Sequence, residues 1–213
     1  MLKLTVGEDQ FPIQYLDKGS SAAILYVPGA SGKAFTDKRC AALADRTQCN
    51  VLRYESWQNE DELNRKTLSL FHKELHELIS FLTQHGNRKI YIVGKSLGGG
   101  LSVAYHDARI RKMVLWAPAI GLSKEGNLRE WKERLFGEIK GLQDIKVGHD
   151  FLRQLTQPIL IIHGDADTVM PLDNSKEIIK HISHGKLFVV NGADHSYTHS
   201  LEEVVAQTIA FLS

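Results

Sequence analysis

Six short apolar runs alternate with stretches of helical periodicity, and this alternation limits the folds open to the chain. The runs are Ala22–Val27, Val51–Tyr54, Ile90–Val93, Lys112–Trp116, Pro158–Ile162 and Lys186–Val190. They are almost continuously apolar, the pattern of strands covered on both faces. Between them, Lys33–Arg46, Asn64–His85, Ser96–His106, Asp173–His181 and Leu201–Leu212 read as helices. In Asn64–His85 leucines or aromatics stand at 68, 71, 75, 78 and 82, which buries one helical face. The histidines of that helix, His72, His76 and His85, fall among charged residues and read as solvated. Two opening strands, Leu2–Val6 and Pro12–Asp17, precede the alternation. The pattern predicts a doubly wound, mostly parallel α/β sheet. The 213 residues suit one domain over 1–213 with a substantial core.

In such a sheet, ligands bind at the carboxyl ends of the strands. One junction there carries a chemical signal. Ile90–Val93 runs directly into Gly94-Lys95-Ser96-Leu97-Gly98, and a helix-compatible run follows. This is G-x-S-x-G in a strand–turn–helix setting, which thrusts a serine hydroxyl out of the chain. The small residues on either side allow the backbone to pack closely. Gly-Lys-Ser also ends the phosphate-binding loop G-x-x-x-x-G-K-[ST], but that loop needs a glycine at Lys89. It also needs a pliant cradle where this chain has β-branched and aromatic residues, so a nucleotide loop is rejected.

A serine nucleophile requires a base, and the base requires an orienting carboxylate. Two later strand–loop junctions offer them. Pro158–Ile162 leads into His163-Gly164-Asp165-Ala166-Asp167-Thr168-Val169-Met170-Pro171. Lys186–Val190 leads into Asn191-Gly192-Ala193-Asp194-His195. Over nearly its whole length the chain resembles the α/β-hydrolases. Their H-G-x-x-D-x-x-V-P stretch is matched by His163 to Pro171, with Met170 in place of a valine, and their terminal G-x-x-H by Gly192 to His195. The resemblance implies Ser96 as nucleophile, Asp167 as acid and His195 as base, without a cofactor. Asp165 is the rival acid, its other role being to cap a turn; Asp194 is expected to shape its own turn. The family's oxyanion donors are backbone amides. They fall here on Leu97 and Ala30, the latter in Pro28-Gly29-Ala30, where the family usually has His-Gly-x.

Substrate contacts are less legible. The usual Gly-x-Gly-x-Ser after the fourth strand is replaced by Arg53-Tyr54-Glu55-Ser56-Trp57-Gln58, where Trp57 is a candidate border of the site. The segment at about 120–155 is too short for a large cap domain. Within it Leu128, Trp131, Leu135, Ile139 and Leu142 keep helical spacing. That suits a small lid with Trp131 against an acyl chain, and equally a surface helix packed on the domain.

Composition bounds the partners. The net charge of +1 gives no global field for nucleic acid or an anionic membrane. The start lacks the apolar stretch of a signal peptide, and no run approaches the length of a membrane span. Cys40 and Cys49 make no disulfide framework. No metal-binding motif is present, although His163, Asp165 and Asp167 cluster. The expectation is a cytoplasmic serine hydrolase, foremost a carboxylesterase for small or medium esters. Thioesterase, amidase or exopeptidase chemistry on the same triad is the alternative. A non-catalytic binder on this fold is the third reading, and the complete set of parts argues against it.

Overall fold

In the computed structural model, which describes residues 2–122, 146–147 and 149–213, the strands alternate as the sequence predicts. The elements run β1 (Leu2–Val6), β2 (Asp9–Leu16), β3 (Ala22–Val27), α1 (Lys38–Arg46), β4 (Asn50–Tyr54), α2 (Glu60–Asn64), α3 (Leu68–Gln84), β5 (Lys89–Lys95) and α4 (Leu97–Val103). They continue with β6 (Ile110–Trp116), β7 (Gly121–Leu122), β8 (Lys146–Val147), α5 (His149–Arg153), β9 (Ile159–Gly164), α6 (Leu172–Ile179), β10 (Gly185–Val190) and α7 (Leu201–Leu212).

Eight strands form one sheet in the order β1-β2-β4-β3-β5-β6-β9-β10. The pairs β1–β2 and β2–β4 are antiparallel, and every pair from β4 to β10 is parallel. The chain leaves β3 toward β4 on one side and returns to β5 on the other. The crevice between the ends of β3 and β5 is therefore the topological switch point. β7 and β8 pair in parallel apart from the main sheet.

The period of two along each strand divides the interior into two cores. Ala23, Leu25 and Val27 of β3 join Ile90 and Ile92 of β5 and Met113 and Leu115 of β6 on the face covered by α3 and α4. Ile24, Tyr26, Tyr91, Val93, Val114 and Trp116 point the other way, under Leu43 of α1 and Val204 and Val205 of α7. From β4 to β9 both faces are covered, which explains why those runs read as continuously apolar; at the edge strand β10 Val189 is exposed.

The differences from expectation have local causes. α1 begins at Lys38 rather than Lys33 because Asp37 caps it, Oδ1 accepting from the Arg39 N–H at 2.9 Å. Residues 33–37 belong to a loop held from outside, the Phe35 N–H donating to Glu55 Oε1 at 2.8 Å. α3 starts only at Leu68, capped by the Thr67 hydroxyl, and a separate short helix, α2, precedes it. His72 is not solvated as the charged pattern suggested. It is half-buried against Tyr105, ring centroids 5.4 Å apart, and its Nε2 has no hydrogen-bond partner among the described residues. Burial lowers its pKa. Trp131 and the greater part of the segment expected as a lid lie outside the described residues.

Candidate active site

Ser96 stands between β5 and α4 with φ 51° and ψ −114°, a conformation costly for any residue with a Cβ. The surroundings hold it there. Its N–H donates to Trp116 O at 2.9 Å, and its carbonyl accepts from the Ala119 N–H at 2.8 Å. Gly98 explains the tightness of the turn: a Cβ there would lie 2.2 Å from Val27 O and 2.5 Å from Pro28 O. The turn is thus pressed against the end of β3, and no side chain fits between. Leu97 is the first residue of α4, where a helix leaves its amides without internal partners.

The loop after β3 lies beside this turn. A Cβ on Gly29 would meet Lys95 O at 3.4 Å and Ser96 Cβ at 3.5 Å. Ala30 is exposed at the crest of that loop. The Trp57 indole donates to Ala30 O at 2.8 Å. Trp57 is itself fully buried, with its ring edge-on to Tyr54 and Phe71, so it braces this loop from the core side. The sequence expected it at the border of the site.

Asp167 and His195 meet from the loops after β9 and β10. His195 Nδ1 lies 2.7 Å from Asp167 Oδ2. Asp167 Oδ1 accepts from the N–H groups of Val169 and Met170 at 2.9 and 2.7 Å. His163 Nε2 stands 3.3 Å from Asp167 Oδ2 and 2.9 Å from Met170 O. A carbonyl only accepts, so that nitrogen carries a proton, and His163 Nδ1 is held by the Ser175 hydroxyl at 2.7 Å. Burial raises the Asp167 pKa, but the hydrogen bonds from His163, His195 and the Met170 amide outweigh it and hold the carboxyl well below its usual range.

Asp165, the rival acid, is exposed and accepts from the Gly192 N–H at 2.6 Å, tying the two loops together. Asp194 accepts from the N–H and hydroxyl of Thr198 at 2.9 and 2.6 Å and so shapes its turn. Tyr197, at φ 56°, donates from its hydroxyl to Ile162 O at 2.7 Å and fastens the His195 loop to β9.

His195 donates from Nδ1 to a carboxylate, so Nε2 is its free acceptor. That nitrogen lies 3.0 Å from Lys95 Nζ. Lys95 is 1% exposed. Its neighbourhood was open to sequence reasoning: Tyr91 and Val93 share a strand face with it, so Lys95 is a lysine on an apolar stripe. Burial lowers the His195 pKa and the Lys95 charge adds to this, against the opposing pull of Asp167.

A cavity of about 460 Å³ adjoins the loops of Ala30 and His195, lined by Ser31, Lys33, Arg39, Ser196, Thr198 and Leu201 among others. Among the described residues no group of three or more His, Cys, Asp or Glu is arranged to hold a metal ion. Nor is any helix among them long and apolar enough to cross a membrane.

The model of an uncharacterised protein family, UPF0227, matches residues 57–213. No curated protein matches the chain in sequence. Among solved structures, Est1E from Butyrivibrio proteoclasticus with ferulic acid bound is similar at a TM-score of 0.80 and 17% identity, covering 100% of this chain and 98% of that one. The dienelactone hydrolase from Anabaena variabilis is similar at 0.73 and 16% identity, with 98% and 94% covered. An esterase from Exiguobacterium antarcticum is similar at 0.73 and 15% identity, with 95% of each covered. These likenesses give the chain the α/β-hydrolase fold.

Proposed function

The chain belongs to the uncharacterised protein family UPF0227, and we propose that it is a serine hydrolase acting on carboxylic esters of small or medium acyl groups. The observation that carries this is the strained Ser96 turn at the switch point, with the Asp167–His195 pair delivered by the loops after β9 and β10. Strain of this kind persists only where the surroundings impose it, and here it falls on a half-buried serine at a strand-to-helix turn.

In this reading Ser96 Oγ attacks the ester carbonyl carbon and its proton passes to His195 Nε2. The amides of Leu97 and Ala30 hold the oxyanion, and Trp57 keeps the Ala30 loop at its height. Asp167 fixes the Nδ1–H tautomer and stabilises the imidazolium. His195 then gives its proton to the departing alkoxide. A water deprotonated by the same nitrogen attacks the acyl-enzyme, which releases the acid and restores Ser96. His163 is assigned to orienting Asp167. The substrate is a small molecule, and neither cofactor nor metal has a part in these steps.

The test is a fluorophosphonate probe on the purified protein and on Ser96→Ala, followed by hydrolysis of esters of graded acyl length with thioester and amide counterparts. Stoichiometric labelling of the parent alone, with esters turned over fastest, supports the reading. A folded parent that takes no label overturns it in favour of a binding protein.

A further inference from the structure

Lys95 raises a problem that the proposed mechanism does not resolve. The imidazole Nε2 has one lone pair, and in this structure it faces Lys95 Nζ at 3.0 Å. Ser96 Oγ has no hydrogen-bond partner among the described residues. The nitrogen that must take the serine proton is therefore bound to the side chain of the preceding residue. We infer that Lys95 is a positioning residue that holds His195 Nε2 in the free protein and must yield it before Ser96 can be deprotonated. The inference rests on the serine-hydrolase reading for its consequence, but not for the contact itself.

The surroundings of Lys95 favour a hold that can be released. It makes no ion pair within 4 Å among the described residues; its other close neighbour is the ring of Tyr197, 5.5 Å from Nζ to the centroid. A buried ammonium in that position is weakly compensated. Arg39 faces it from α1, with Asp37 just before that helix. Asp167 faces it from the loop after β9, and Asp194, His195 and Tyr197 from the loop after β10. Tyr26 of β3 donates to Asp37 Oδ2 at 2.7 Å, and Arg39 is paired to the same carboxylate, so Asp37 is already engaged. Burial lowers the Lys95 pKa most, Arg39 lowers it further, and the three aspartates offset this only in part, leaving it at about 7. Tyr26 and Tyr197 are pushed well above their usual range and stay neutral. The ammonium is a strong donor and the amine a weak one, so the hold on Nε2 loosens as pH rises through neutrality.

Two effects of the same contact predict opposite shifts. If Lys95 blocks Nε2, the acid limb of Ser96 reactivity reports Lys95, and removing the lysine moves that limb to lower pH. If Lys95 only repels the proton on His195, removing it raises the His195 pKa and moves the limb to higher pH.

The experiment is the rate of fluorophosphonate labelling from pH 5 to 9 on the whole chain and on Lys95→Met, with thermal melts of both. At pH 6 the variant should label up to about tenfold faster, because a group titrating near 7 is about nine-tenths charged there. Its acid limb should move down. Equal or slower labelling at pH 6, or an upward shift, overturns the inference. Should Lys95→Met fail to fold, the ¹⁵N resonance of His195 Nε2 in the parent decides. An inflection shared with the Lys95 Nζ resonance supports the hold, and its absence overturns it. If the folded parent takes no label at any pH, the hydrolase reading falls, and the ¹⁵N titration still decides whether Lys95 holds Nε2.

Discussion

The indole of Trp57 reaches Ala30 O at 2.8 Å, linking the core under α3 to the loop that flanks Ser96. Trp57→Phe keeps an aromatic ring against Tyr54 and Phe71 but removes the donor. Stability should fall by about 1–3 kcal/mol, since the ring shrinks and a partly enclosed carbonyl loses its partner. Labelling of Ser96 should slow as the Ala30 amide loses its fixed height. Urea unfolding and labelling rates on one variant measure both. A re-ranking of acyl chain lengths at unchanged stability would return Trp57 to the pocket wall.

Ser96→Ala should lower ester hydrolysis by at least about 10³-fold, leaving only oxyanion and binding effects. A second substitution reads the backbone. Glycine tolerates φ 51°, whereas alanine bears the same strain as serine. Ser96→Gly should therefore be more stable than Ser96→Ala by about 1 kcal/mol, despite the entropy that glycine loses on folding. Calorimetry on the pair gives the difference directly.

Asp167→Asn should cost roughly 10⁴-fold in kcat, because the amide no longer fixes the Nδ1–H tautomer of His195. Asp165→Asn should cost far less, its carboxylate being engaged with the Gly192 amide. The pH dependence of stability separates them again. The folded pKa of Asp167 is depressed, so its contribution is complete above the ordinary carboxylate pKa of about 3.9 and is lost as pH falls below it. Asp167→Asn should flatten acid unfolding in that window.

His72 acts at higher pH. Burial depresses its pKa, so below about 6.5 the unfolded chain takes up a proton that the folded chain resists. Its contribution is present above that value and is lost as pH falls through it. His72→Phe keeps a ring against Tyr105 and removes the unpartnered Nε2. The variant should lose less stability than the parent between pH 7.5 and 5.5 in paired urea titrations.

The parts of the fold that follow from period and spacing were legible in the sequence. β1, β3 and α7 fall on their expected bounds because their apolar residues recur with an unbroken period and their flanks carry turn residues. The Ser96 turn was legible for a similar reason, since Gly98 is required by its closeness to the end of β3 and Gly94 by its closeness to the backbone of Gly98 and Gly99. Relations between distant side chains were not. Nothing near Glu74 in sequence shows that it is buried beside Lys66 and accepts from the Ser56 hydroxyl at 2.9 Å. The apolar stripe of Tyr91 and Val93 could have marked Lys95 as buried, but not what it touches, because its partner stands 100 residues away. The N-terminus of α1 was misplaced by the pull of Lys33–Arg46 toward helix, where the Asp37 cap decides the start.

The sheet order also dictates when the site can exist. Ser96 follows β5, which pairs with β3 on one side and β6 on the other, and all three strands are complete by residue 116. Asp167 and His195 follow β9 and β10, and β10 pairs with β9 alone. In the serine-hydrolase reading, the nucleophile turn therefore rests on strands that precede, in the chain, both of the residues proposed to activate it. The pair arrives only with the last sheet strand and the loop that Tyr197 ties to Ile162. In the serine-hydrolase reading, a chain cut before Gly185 would carry Ser96 and Asp167 but not the base they need.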